Sequence, residues 1–138
     1  MIVDAGIPVA ASNRSDPNRL RAQALLANAR EPLIVPAPVT AEIDFMLTDR
    51  GHTDAARAFI TDIVGGLYVV ECLTRDEYML VQALERRYAA LTPGLADLSV
   101  VVLAFRLNTL RIATLDQRHF RAITPLQGGA FTLLPWDE

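Results

Sequence analysis

Strand-type and helix-type segments alternate along this chain, and that alternation admits few folds. Short apolar runs stand at 1–4, 33–35, 67–72, 111–115 and 131–134. Helices are predicted between them, at 16–30, 38–49, 53–64, 74–91 and 95–107, with a short turn at 116–120. Their start and stop signals are local. Asp16-Pro17 offers an N-cap followed by a proline at the first helical position. Thr74 with Glu77 has capping-box spacing. Gly51 and Gly65-Gly66 end two of the helices. Segment 95–107, LADLSVVVLAFRL, is apolar on almost every face and is predicted to be the most buried helix. Strands that alternate with helices build a parallel sheet with helices on both faces. The expected fold class is therefore α/β, in three layers, around a central, mostly parallel sheet of about five strands.

A chain of 138 residues fits one domain spanning 1–138, with one core. No repeat, linker or low-complexity segment interrupts it. Hydrophobic residues make up 51% and charged residues 21%, a globular rather than disordered balance. No apolar stretch approaches the roughly 20 residues that span a bilayer. The start, MIVDAG, has neither the basic region nor the cleavage site of a signal peptide. Cys72, the one cysteine, sits in an apolar run and is expected in the core. A soluble, cytoplasmic protein is the expectation. All 13 basic side chains are arginine. The lack of lysine excludes phosphate-binding loops of the Gly-Lys type and Schiff-base chemistry. A net charge of −3 argues against a protein that coats nucleic acid nonspecifically. It is compatible with an enzyme whose acids are neutralised by a bound metal.

Four carboxylates fall in or beside apolar runs, where an isolated charge is costly to desolvate. Asp4 ends the first strand. Glu42 shares a helical face with Val39, Ile43 and Met46, so it is expected on the core-facing side, while Asp44 points away. Asp97 lies in the first turn of the apolar helix. Asp116 follows the fourth strand, and Thr114, two residues earlier, points to the same side and is placed to hold a metal-bound water. Each acid alone has an ordinary explanation: a strand-end cap, a rim glutamate, a first-turn acid, a turn cap. Together they meet where a parallel sheet places its ligands, beyond the carboxyl ends of the strands. Converging acids repel unless a divalent cation gathers them. One such ion would activate water for attack on a phosphodiester. A second, about 3.5–4 Å away, would stabilise the leaving oxygen.

The segments MIVDAG at 1–6, VTAEIDFML at 39–47, GLADLSVVVLAFRL at 94–107 and RIATLDQRHF at 111–120 resemble a PIN-domain ribonuclease, specifically the VapC-type toxins of type II toxin–antitoxin pairs. The resemblance covers essentially the whole chain, in order. It implies a PIN-like fold with Asp4, Glu42, Asp97 and Asp116 as the catalytic, metal-binding acids. It also implies Mg2+- or Mn2+-dependent cleavage of structured RNA such as tRNA or ribosomal RNA loops, a homodimer, and silencing by a cognate antitoxin. The antitoxin would be clamped by helices 16–30 and 53–64. Two departures are visible. Ala5 and Gly6 stand where the family often has Ser or Thr, and Thr92-Pro93 replaces an acid often found before Asp97.

Arg14 and Arg19 after the first strand, and Arg118 and Arg121 around Asp116, are candidate phosphate contacts. Arg14, Arg118 and Thr114 are the expected substrate-binding residues; a solvated rim is the alternative for the arginines. His119 is read as capping its turn in preference to touching RNA. Phe105, Phe120 and Trp136 are read as packing. Phosphatases of the haloacid-dehalogenase type and response-regulator receivers also begin with a strand ending in Asp. Both normally need a late lysine, which is absent. The remaining alternative is a catalytically weak or inactive PIN-like module that binds RNA or a partner.

Overall fold

The computed structural model describes residues 1–138. Five strands, β1 (Ile2–Val3), β2 (Leu33–Pro36), β3 (Tyr68–Glu71), β4 (Arg111–Ala113) and β5 (Thr132–Leu134), form one sheet in the order β3-β2-β1-β4-β5. Every pairing is parallel. The helices are α1 (Gly6–Ser12), α2 (Arg19–Asn28), α3 (Ala37–Asp49), α4 (Thr53–Val64), α5 (Arg75–Arg87), α6 (Leu95–Arg106) and α7 (Gln117–Ala122). They complete a three-layer α/β/α architecture, as parallel strands require helical crossovers.

The strand order decides where a site can form. From β1 the chain moves outward through β2 to β3, then returns across the sheet to place β4 on the other side of β1. The gap between the carboxyl ends of β1 and β4 is thus the switch point. Asp4 N–H donates across it to Ala113 O at 2.9 Å, and on the far side of β4 Thr114 N–H donates to Leu134 O of β5 at 3.0 Å.

Helix α6 is the central pillar. Leu98 through Ala104 are all buried, and the helix packs on β1, β2 and β4. It needs no polar face because the sheet and α3 and α5 cover it. Helix α5 carries the predicted capping box in full. Glu77 N–H donates to Thr74 Oγ1 at 3.2 Å, and Thr74 N–H to Glu77 Oε1 at 2.9 Å. That same Oε1 accepts from Arg106 at 2.9 Å, so the cap also ties α5 to α6. We expect Thr74→Ala to cost about 1 kcal/mol, a drop of roughly 3 °C in the thermal midpoint. An unchanged midpoint would show that the cap is dispensable.

Several expectations need correction. Cys72 is exposed, because it follows β3, the edge strand of the sheet. Phe105 is 44% exposed at the end of α6 rather than packed. Helix α2 starts at Arg19 rather than Asp16: the Asp16 carboxylate accepts from Asn18 N–H at 2.8 Å and closes a turn of its own. Helix α1 has no counterpart among the predicted elements. No helix is long and apolar enough to cross a membrane.

Candidate active site

Asp4, Glu42, Asp97 and Asp116 arrive from four different elements. Asp4 leaves the end of β1. Glu42 is in the second turn of α3, Asp97 in the first turn of α6, and Asp116 caps α7 just after β4. Asp4, Glu42 and Asp116 follow β1, β2 and β4 at the carboxyl edge; α6 does not follow a strand, and Asp97 is placed there by its approach to the His119 ring at 3.4 Å.

Asp4 is the innermost, 6% exposed. Its Oδ2 accepts from the Thr114 hydroxyl at 2.7 Å. Burial pushes its carboxyl up to about 6; the hydrogen bonds from Thr114 and the Ala5 amide pull the other way, and the nearby charges of Asp97 and Glu42 push it further up. Asp97 is also raised, first by burial and then by Asp116, against the Gly94 amide and His119. Its Oδ2 accepts from Gly94 N–H at 3.0 Å, which satisfies one of the free donors at the start of α6. Glu42 is exposed at the rim rather than on the core side of α3, where Val39, Ile43 and Leu47 are buried. Its carboxyl is raised by partial burial and by Asp97. Asp97 and Glu42 thus raise Asp4, Asp97 raises Glu42 and Asp116 raises Asp97, the pattern expected where acids are crowded.

Thr114 corrects an expectation. It is fully buried, and its hydroxyl is committed: it donates to Asp4 and accepts from Asp116 N–H at 2.9 Å. Neither water nor RNA reaches it, and its role is to fix Asp4 relative to Asp116. Ala5 supplies no hydroxyl to this arrangement. Ala5 is 3% exposed, so its side chain points inward, and the hydroxyl that orients Asp4 comes from β4 instead.

His119 is more central than its sequence position suggests. Its backbone N–H donates to Asp116 Oδ1 at 3.2 Å, the expected cap. Its ring also enters the acidic cluster: Nδ1 lies 2.8 Å from Asp116 Oδ2 and 3.4 Å from Asp97 Oδ2. Nε2 lies 3.1 Å from Leu91 O. The donor atoms of Asp97, Asp116 and His119 all fall within 4.8 Å of one another. An acid three residues before a histidine at a helix start, Asp116 and His119, is the signal that could have found it.

The arginines divide. Arg118 is exposed in the first turn of α7, two residues past Asp116. Arg121 is paired with Asp137, at 2.9 Å from Nη1 to Oδ2, so it is tied to the C-terminus rather than free for phosphate. Arg14 lines a separate hollow with Ser12, Asn13, Ser15 and His52, just past the end of α3, and none of the four acids belongs to it. Arg19 is half-buried, and its Nε has no hydrogen-bond partner. Trp136 packs at the fringe of the core and donates Nε1–H to Thr114 O at 3.0 Å, bracing the end of β4.

The donor set suits a divalent cation: oxygens of Asp97 and Asp116 and a ring nitrogen of His119 lie within 4.8 Å of one another, and Asp4 and Glu42 stand outside that cluster but within reach of its charge. No family model matches the chain. It is 31% identical over 135 residues to Ribonuclease VapC26 of Mycobacterium tuberculosis (strain ATCC 25618 / H37Rv), a match covering 98% of this chain and all of that protein. Its fold matches the crystal structure of Mycobacterium tuberculosis VapC20, a sarcin-ricin loop cleaving toxin, with a TM-score of 0.78 at 19% identity. That match covers 85% of this chain and 90% of the other.

Proposed function

Because the chain belongs to the VapC-type PIN-domain ribonucleases, we propose that it is a divalent-metal-dependent endoribonuclease toxin that cuts structured RNA, with Asp4, Glu42, Asp97 and Asp116 as its metal-binding acids. The observation that carries the reading is the cluster of Asp97, Asp116 and His119 donor atoms within 4.8 Å at the switch point, with the buried Asp4 tied to Asp116 through Thr114.

Asp97, Asp116 and Asp4 would hold Mg2+ or Mn2+, with Glu42 at the rim. When bound, the cation supplies a Lewis acid for phosphodiester hydrolysis. The chain's own residues do the rest. Thr114 holds Asp4 in one rotamer, and Gly94 N–H holds Asp97. Without a cation the acids repel a phosphate backbone, so RNA engages only the loaded site. Arg118, exposed beside Asp116, contacts the phosphate flanking the cut.

The antitoxin site lies between α2 and α4. A hollow of about 330 Å³ there is lined by Ala11, Leu26, Ala27, Ala58, Phe59 and Leu67 among others. Nearby, α4 exposes Ile60 at 54% and Val64 at 83%. An amphipathic segment of a partner would cover these apolar groups. The homodimer pairs through the β3 edge, where Val69 and Val70 are 42% and 36% exposed.

The test incubates the purified chain with tRNA and with ribosomal RNA containing the sarcin-ricin loop, with Mg2+, with Mn2+ or with a chelator, and maps the 5′ ends. Cutting at one or a few positions, lost on chelation, is the expected result. Cutting that survives the chelator would overturn the metal assignment. Binding without cutting would leave an inactive module.

A further inference from the structure

We propose that His119 Nδ1 is itself a ligand of the bound cation, so that the centre is a mixed oxygen and nitrogen set that prefers Mn2+ to Mg2+. The inference rests on the metal-site reading above and goes beyond it, since that reading assigns carboxylates alone as ligands.

The argument starts from the other side of the ring. Nε2 faces the carbonyl oxygen of Leu91 at 3.1 Å. A carbonyl only accepts, so Nε2 carries hydrogen. In the neutral ring the lone pair is then on Nδ1. Nδ1 points between two carboxylate oxygens, 2.8 Å from Asp116 Oδ2 and 3.4 Å from Asp97 Oδ2. A lone pair held between two anionic acceptors is repelled by both, unless a cation or a second ring proton lies among them. Metal-bound histidines in proteins share this arrangement: the free ring nitrogen donates to a backbone carbonyl, which fixes the tautomer and aims the other nitrogen at the ion.

The spacing agrees. Ligand atoms about 2.1 Å from a six-coordinate ion, at right angles, lie about 3.0 Å apart. The two Nδ1 to oxygen distances, 2.8 and 3.4 Å, bracket that value. The ring is also held without help from the ion. Its backbone N–H is fixed by Asp116 Oδ1, and Leu91 is in the turn that leads into α6. The metal preference follows from ligand type. Mg2+ favours an all-oxygen shell and sheds water reluctantly, whereas imidazole suits the transition metals.

The opposing account is that the ring is doubly protonated and serves as a cationic clamp on Asp97 and Asp116. The two accounts predict opposite signs. As a ligand, His119 strengthens metal binding; as a clamp, it competes with it.

Two measurements on the full chain separate them. Pulsed electron paramagnetic resonance of the protein loaded with Mn2+ reads nitrogen bound directly to the ion. Calorimetric titration with Mn2+ and with Mg2+ reads affinity for wild type, His119→Ala and His119→Gln. The expected results are a coupled nitrogen in wild type that is lost in both variants, and Mn2+ affinity reduced by roughly tenfold or more with Mg2+ affinity changed by less than about threefold. Mn2+ bound with no coupled nitrogen, or bound more tightly by His119→Ala, would overturn the ligand role and leave the acidic site standing. If wild type binds neither ion, the metal-site reading falls and this proposal with it. The resonance experiment on wild type is decisive even if the variants fold poorly.

Discussion

Asp97→Asn is expected to reduce RNA cleavage by roughly 10²- to 10³-fold, the cost of removing a group that stabilises charge at the reacting centre, while α6 stays folded. Asparagine is the informative replacement because Asp97 has two roles. Its Oδ2 accepts from Gly94 N–H and so caps the helix that forms the core of the protein. An amide oxygen keeps that bond. Alanine would lose it, at about 1 kcal/mol, and mix a folding defect with the catalytic one. The charge is what the asparagine removes, and with it the pull on the cation that the proposed site would share among Asp97, Asp4, Glu42 and Asp116. Expression of the variant in cells should be tolerated where the wild type arrests growth; its circular dichroism should match, and in chelator at neutral pH its thermal midpoint should equal or exceed that of wild type, because a raised carboxyl has been removed. A variant that cuts RNA at the wild-type rate would show that Asp97 serves α6 alone.

What could be read in the chain depended on how local the cause was. The α5 capping box lies within four residues and formed as spaced. That Asp4 and Asp116 share one edge is legible because the strands of a parallel sheet all end on the same side; that they are neighbours depends on β4 lying beside β1. Strand order itself is not local, and that is why Cys72 was misjudged: its apolar neighbours belong to a strand that turns out to be the sheet edge. Glu42 was placed too deep for a related reason. The stripe on α3 predicts which face is buried, but not how far along that face the cover extends. Helix α1 was invisible because GIPVAAS has no polar face and no cap; it is helical because the core covers Ile7, Val9 and Ala10. Arg121 depends on Asp137, and the His119 ring on Leu91, 28 residues earlier. Such partners exist only once the fold has formed.

Asp4→Asn is expected to make the metal-free protein more stable at neutral pH, by on the order of 3 kcal/mol, while abolishing activity. The Asp4 carboxyl rises from 3.8 to about 6 on folding. An acid raised in this way binds its proton more tightly in the folded state. Its neutral form is accommodated fully below pH 3.8, and stability is lost as pH climbs through 6. Above that range the folded protein must hold a buried carboxylate beside Asp97 and Glu42, both of which are also raised. The amide of asparagine keeps an oxygen for the Thr114 hydroxyl and carries no charge, so the penalty disappears. In chelator at pH 8 the variant should therefore melt roughly 5–10 °C above wild type. The gap should shrink as pH falls through 6 and close below 3.8. Saturating Mn2+ should reverse the order, because only the wild type has the full set of acids to gain from the ion. A variant less stable than wild type at pH 8 in chelator would mean that the Thr114 hydrogen bond outweighs the buried charge. The crowding of acids at the switch point would then be a structural feature rather than the electrostatic cost that a cation relieves.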